Sequence, residues 1–177
     1  MANFLLAKAR DFCKTGNASE LRLLLDACTP EQIDTIISTK TEGEISVKRP
    51  SSSNEYDIRE PNLLVTSLAG WYSEIVDCLA SYGVGLETHV DVRDLTCDPS
   101  NPSYSCKPLI IASMLGKVDM VKSLVSNGTD IDGTNSLGDS SLLEACFEGN
   151  YAVTEFLVQK RASLNKQNDR GITGEYK

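Results

Sequence analysis

Histidine is almost missing from this chain: of 177 residues, only His89 carries an imidazole. One imidazole, far from any serine or cysteine with a recognisable partner, supplies no nucleophile and base set, so the sequence contains no catalytic constellation. There is likewise no Gly-rich phosphate loop following a strand. Tryptophan occurs once, at Trp71, and aromatic residues make up 6% of the chain. Positive charge is also scarce, with 17 Lys and Arg against 25 Asp and Glu and a net charge of -8. Such a field repels phosphate backbones, which excludes non-specific nucleic-acid binding and favours a basic partner. Long apolar runs are absent as well. The N-terminal run spans only Phe4 to Ala7 with no cationic stretch before it, and no later segment approaches the roughly 18 apolar residues of a membrane span. The expectation is a protein of the cytoplasm or nucleus that engages no membrane.

Six cysteines are present, but without a secretory leader they read as reduced thiols rather than a disulfide framework. For the same reason the two glycosylation sequons, at Asn17 and Asn127, carry no meaning. Cys97, Cys106 and His89 share one polar stretch, yet three groups at irregular spacing match no zinc pattern. Asp130-Ile131-Asp132-Gly133 has its Gly in the fourth place, and the twelfth residue is Ser141. A calcium loop needs Gly sixth and Glu twelfth. No metal and no cofactor are expected.

What the chain does contain is a repetition. Gly116 is answered by Gly149, Ile131 by Leu164 and Gly138 by Gly171, each 33 residues on. One copy reads Lys107-Pro108-Leu109, Ala112-Ser113, Gly116, Met120-Val121, Leu124-Val125, Gly128-Thr129, Ile131-Asp132; the next reads Ser140-Ser141-Leu142, Ala145-Cys146, Gly149, Val153-Thr154, Leu157-Val158, Arg161-Ala162, Leu164-Asn165. Pro at a first helical turn sacrifices no hydrogen bond, small residues let helices approach, and Gly ends a short helix. Cys13 and Cys146, each three residues before such a Gly, fit among those small packing residues. In period and in residue order this unit resembles the ankyrin repeat, a turn followed by two antiparallel helices.

The resemblance implies an all-α ankyrin-repeat solenoid of about four units. Residues 4–28 read as an irregular capping repeat, with Cys13, Gly16 and Leu24-Leu25 at repeat spacings. Residues 29–40 read as an extra helix, because Thr29-Pro30-Glu31-Gln32 forms an N-terminal capping signature ahead of Ile33, Ile36 and Ile37. Residues 43–61, rich in Ser, Pro and mixed charge, are expected to be a flexible insertion. Residues 62–87 form a repeat in which Trp71 replaces the helix-ending Gly, and 88–106 an enlarged loop rich in Asp, Pro and Ser. Repeats follow at 107–132 and 138–165, and 166–177 opens a further, truncated one.

Ankyrin units present their turns and inner helices on one concave face, which places the candidate binding residues. Glu144 and Glu148 lie four apart on the last inner helix with Phe147 beside them, an arrangement that suits a cation. One repeat earlier the matching residues are Ile111, Met114 and Leu115, so the neighbouring part of the face is expected to be an apolar surface. Asp94 and Asp98 in the long loop are further acidic candidates.

The combination of an irregular first repeat, an extra helix ending "IISTKTEG", an enlarged loop before "KPLIIAS" and "LLEACFEGN" in the last repeat is similar to the feminization (Fem) family of ankyrin proteins. Members of that family are substrate receptors of cullin-RING ubiquitin ligases. The resemblance implies a groove for a substrate tail ending in Arg. Glu148 stands where the family has an Asp, and Asp94 or Asp98 would serve as the loop acid. It also implies an adaptor and cullin recruited through regions outside this sequence. Ile110 and Glu144 replace the family's Trp and Arg. Read without the Fem features, the chain is an ankyrin scaffold or inhibitor that meets a folded partner through its turns, including Asp130 and Asp139.

Overall fold

The structure, a computed structural model, describes residues 2–39, 44–48, 55–59, 62–70, 72–94 and 104–174. Helices α1 (Ala2–Thr15) and α2 (Ala18–Asp26) form an antiparallel pair, as do α4 (Leu63–Gly70) and α5 (Ser73–Ser81), α6 (Pro108–Met114) and α7 (Val118–Ser126), and α8 (Ser141–Phe147) and α9 (Tyr151–Gln159). The first members stack as an inner layer, α1 on α4, α4 on α6 and α6 on α8; the second members stack outside as α2, α5, α7 and α9. Helix α3 (Pro30–Ser38) is additional and packs on α1.

Local chemistry sets these boundaries. The Thr29 hydroxyl accepts from the Gln32 amide while the Gln32 side chain accepts from the Thr29 amide at 2.8 Å, a reciprocal cap that starts α3. Pro108 occupies the first turn of α6, and the Ser140 hydroxyl accepts the Leu143 amide at the start of α8. Gly116 closes the first helix of its repeat at φ +70, and a Cβ there would fall 2.6 Å from Asn150 Oδ1. The clash matters because the Asn150 amide donates to the carbonyls of Ser113 and Met114, tying the third repeat to the orphan end of α6. Small residues Ala112, Ser113, Ser141 and Ala145 are buried where the inner helices approach.

The segments expected as a flexible insertion and an enlarged loop are different in the structure. Strands β1 (Glu44–Lys48) and β2 (Glu55–Arg59) lie in the first, and β3 (Val90–Asp94) and β4 (Tyr104–Cys106) in the second. They pair antiparallel in the order β1-β2-β3-β4. The register sets Ile45 opposite Ile58, Ile58 opposite Val92, and Val90 opposite Cys106. Each hairpin directly precedes an inner helix, the place taken before α8 by the short turn bridged between Thr134 and Ser140. Strand β4 continues the ladder onto that turn, with Ser136 N–H donating to the Ser105 carbonyl at 2.9 Å and Ser105 N–H to the Ser136 hydroxyl at 3.0 Å. The solenoid remains helical, and its strands are enlarged inter-repeat turns. The physical reason is burial: Ile58, Val90, Val92 and Cys106 alternate with polar neighbours and join the same core as the inner helices.

Polar rungs fix the spacing between repeats. Glu87 accepts the Asp130 amide at 3.0 Å and pairs with Lys107 at 2.8 Å. One repeat on, Asp132 accepts the Ser163 amide at 2.8 Å. On the outer layer, Asp77 of α5 accepts from Ser123 of α7 and from Asn127, the residue that caps that helix.

Three measurements test this arrangement. Leu142 is 1% exposed between repeats, so Leu142→Ala is expected to cost about 2–5 kcal/mol in urea unfolding; a change typical of a surface residue would contradict the stacking register. Arg161 holds φ +65 where the preceding repeats place Gly83 and Gly128, so Arg161→Gly should stabilise the chain by roughly 0.5–1 kcal/mol, and a lower melting temperature would refute the strain. Burial, with a smaller contribution from Cys78, raises the Cys13 thiol from 9.0 to about 12; burial also raises Cys78, and Cys106 well above its ordinary value. Peptide-mapped alkylation of the folded chain should therefore modify half-buried Cys28 and Cys146 while sparing Cys13, Cys78 and Cys106. Because unfolded Cys13 ionises near 9.0 and folded Cys13 only near 12, its contribution to stability is complete below the lower value and lost as pH climbs through the higher.

Candidate functional site

Helix α8 is seven residues long, so two turns present Glu144, Phe147 and Glu148 within one short stretch. Phe147 is 57% exposed. Glu144 and Glu148 are half-buried. Glu144 accepts a hydrogen bond from the Asn135 side-chain amide at 3.4 Å, and after burial its charge is the next largest cause that raises the Cys106 thiol. The carboxylate of Glu144 thus belongs to the seam between α8, its preceding turn and β4.

That turn is rigidly organised. Asn135 Oδ1 accepts the amides of Leu137 and Asp139, both at 2.9 Å, and buried Asp139 accepts the side-chain amides of Asn135 at 3.3 Å and Asn168 at 2.7 Å. Asn168 repeats the motif 33 residues on, accepting from Arg170 and Ile172. The Asp139 carboxylate thereby ties adjacent turns together.

Ile111, Met114 and Leu115 do not form the apolar surface expected of them: they are 0%, 1% and 2% exposed. Neighbouring helices and the sheet share that cover. Tyr104 of β4 donates its hydroxyl to the Met114 sulfur at 3.5 Å, and the buried residues of β2, β3 and β4 pack into one core with α4 and α6. The same groove position is therefore covered in one repeat, at Met114, and open in the next, at Phe147. Asp94 ends β3 opposite Tyr56, four residues beyond Val90, whose partner Cys106 leads into α6. Its backbone lies two residues beyond Val92, the last residue of β3 paired with β4. Asp98 lies outside the described residues, as do Trp71 and Cys97.

Tyr104 is not among the residues the repeat pattern singles out, because it lies in the segment expected as an enlarged loop and forms part of β4. The signal was its placement between the alternating stretch Val90-Asp91-Val92 and a helix apolar from Pro108 to Ile111. A hollow of about 370 Å³ lies between α3, the turn after α5 and β3, and is bordered by Asp34, Ile37, Asn62, Thr88 and His89. The Asn62 side chain is engaged there, donating to the Thr88 hydroxyl and accepting the Val65 amide. Among the described residues no group of His, Cys, Asp and Glu is arranged to hold a metal ion, and no helix is long and apolar enough to cross a membrane.

Comparison with known proteins agrees with this architecture. Alpha-latrocrustotoxin-Lt1a of Latrodectus tredecimguttatus is 27% identical over 145 residues, which is 81% of this chain and 9% of the toxin. E3 ubiquitin-protein ligase XBAT33 of Arabidopsis thaliana is 30% identical over 77 residues, 41% of this chain and 15% of the ligase. The chain spans only a small fraction of the length of either relative. The family described as ankyrin repeats, in three copies, matches residues 63–168, which run from the start of α4 through the Asn168 turn. Stacked helix pairs, the last two 33 residues apart, and a family match over more than half of the sequence place this chain in the ankyrin-repeat family.

Proposed function

We propose that this protein is a non-catalytic binding module whose open inner helix, α8, receives the cationic tail of a protein partner, in the manner of a Fem-type substrate receptor of a cullin-RING ubiquitin ligase. The observation that carries the reading is the contrast along the concave face. Phe147 is 57% exposed beside Glu144 and Glu148, while the matching residues one repeat earlier are sealed. An aromatic ring with two carboxylates nearby suits the guanidinium of a terminal Arg, which can stack on the ring and donate paired hydrogen bonds. The net charge of -8 would draw such a tail in. The likeness to a plant E3 ligase over 77 residues supports a ubiquitin setting. The second reading, a scaffold for a folded partner, draws on the enlarged turns, which form a broad sheet beside the groove.

Fluorescence anisotropy with peptides ending in Arg tests the first reading. Glu148→Ala is expected to weaken binding by about tenfold or more, the loss of one charge-assisted hydrogen bond, and equal affinity in the variant would sink the assignment. Co-purification from cells separates the two readings, because cullin and its adaptor among the partners favour the receptor and a folded partner without them favours the scaffold.

A further inference from the structure

Resting on the tail-binding reading, we propose that β4, with Tyr104 at its tip, is the end wall of the groove, and that it makes the site selective for chain ends by blocking passage rather than by binding a terminal carboxylate.

The geometry has two parts. The first is length. Met114 and Phe147 hold the same place in successive inner helices, yet one is 1% and the other 57% exposed. Tyr104 lies against Met114, its hydroxyl reaching the Met114 sulfur. Ile111 and Leu115 are buried as well. The wall is continuous with the scaffold, since Ser105 exchanges hydrogen bonds with Ser136 of the third turn at 2.9 and 3.0 Å. Stacked helices lie about 8–10 Å apart and an extended residue spans about 3.3 Å, so the open stretch holds roughly three residues. A segment that crosses α8 toward α6 meets the Tyr104 ring after that distance and must stop.

The second part is charge. Among the described residues near the blocked end are Glu144, on the seam with β4, Cys106, whose buried thiol is held neutral, and Lys107, whose ammonium is paired with Glu87 at 2.8 Å. Asp139, in the adjoining turn, is buried and engaged with Asn135 and Asn168. With Lys107 already paired, a terminal carboxylate gains no cationic partner from these groups, and their field opposes it. Discrimination between an end and an internal stretch therefore comes from the wall.

Four forms of one nine-residue peptide separate these causes: free-acid Arg end, amidated Arg end, Arg followed by four Gly or Ser residues, and the free acid without Arg. With the wild-type chain, amidation should leave affinity unchanged or improve it. Extension past the Arg should weaken binding by roughly tenfold or more, the cost of forcing a chain against packed side chains. Tyr104→Phe keeps the ring and should keep that penalty, whereas Tyr104→Ala should shrink it to within about threefold, with circular dichroism confirming that the variant folds. An extended peptide that binds wild type as well as the free end does would overturn the wall, as would a loss of about tenfold or more on amidation. The wild-type and Tyr104→Phe measurements decide the matter even where Tyr104→Ala fails to fold. If the Arg-ended forms bind no better than the form without Arg, the tail-binding reading itself falls, a result distinct from loss of the wall alone.

Discussion

A helix of seven residues followed by one of nine, as in α8 and α9, cannot bury its apolar side unaided, and every other feature of this chain answers to that constraint. Each pair is stable only as a layer against another, so positions that face a neighbour must be small, apolar or hydrogen-bonded across the joint. The Asn150 amide on the α6 carbonyls, Glu87 on the Asp130 amide and Asp132 on the Ser163 amide recur at or near the repeat interval because the joint recurs there. These bonds cross between units rather than closing within one, and so convert proximity into register. A slip of one residue would lose all of them together.

The four-stranded sheet modifies this plan. In the third repeat the turn before α8 is a short hairpin, and the inner helix keeps one face open. In the two preceding repeats the turns lengthen into paired strands that fold back on the core, giving α4 and α6 a second cover. Helix α6 is accordingly buried over its whole length from Pro108 to Met114, whereas α8 carries Glu144 among apolar residues. One-sided and two-sided burial call for different compositions, and the two helices have them. The recognition surface proposed above is then defined by subtraction, as the part of the concave face that the sheet leaves uncovered.

How much of this was legible in the residues follows from the range of the interactions. Gly116 and Gly149 act within a single turn, and Leu142 at its repeat position had to be buried, so the helical stack could be read from spacing alone. The strands could not be read so easily. They are three to five residues long, and β2 and β3 find each other across the whole α4–α5 pair. Their Pro- and Ser-rich flanks resembled loop more than their cores resembled strand, since β-propensity depends on what a strand packs against. The alternation of Ile45 with Val47, Tyr56 with Ile58 and Val90 with Val92 was present, but without a known surface to cover it was ambiguous. That one omission also misplaced Ile111 and Met114, because a helix that is apolar all round signals a second cover only when something is available to supply it.

The same arrangement links recognition to stability. Among the described residues the third repeat has a stacked neighbour on one side, and Tyr151, Val158 and Leu164 are 84%, 43% and 42% exposed where Val118, Val125 and Ile131 one repeat earlier pack against the core. In a linear array a unit with one neighbour opens at lower free energy than a unit with two. The helix that carries Glu144 and Phe147 thus belongs, among the described residues, to a pair stacked on one side, while β4, through β3 and β2, joins the core shared with α4 and α6. A ligand held between the two would return to the α8–α9 pair, as added stability, whatever it gains there, so that occupancy of the proposed site and order of that pair would be one equilibrium rather than two.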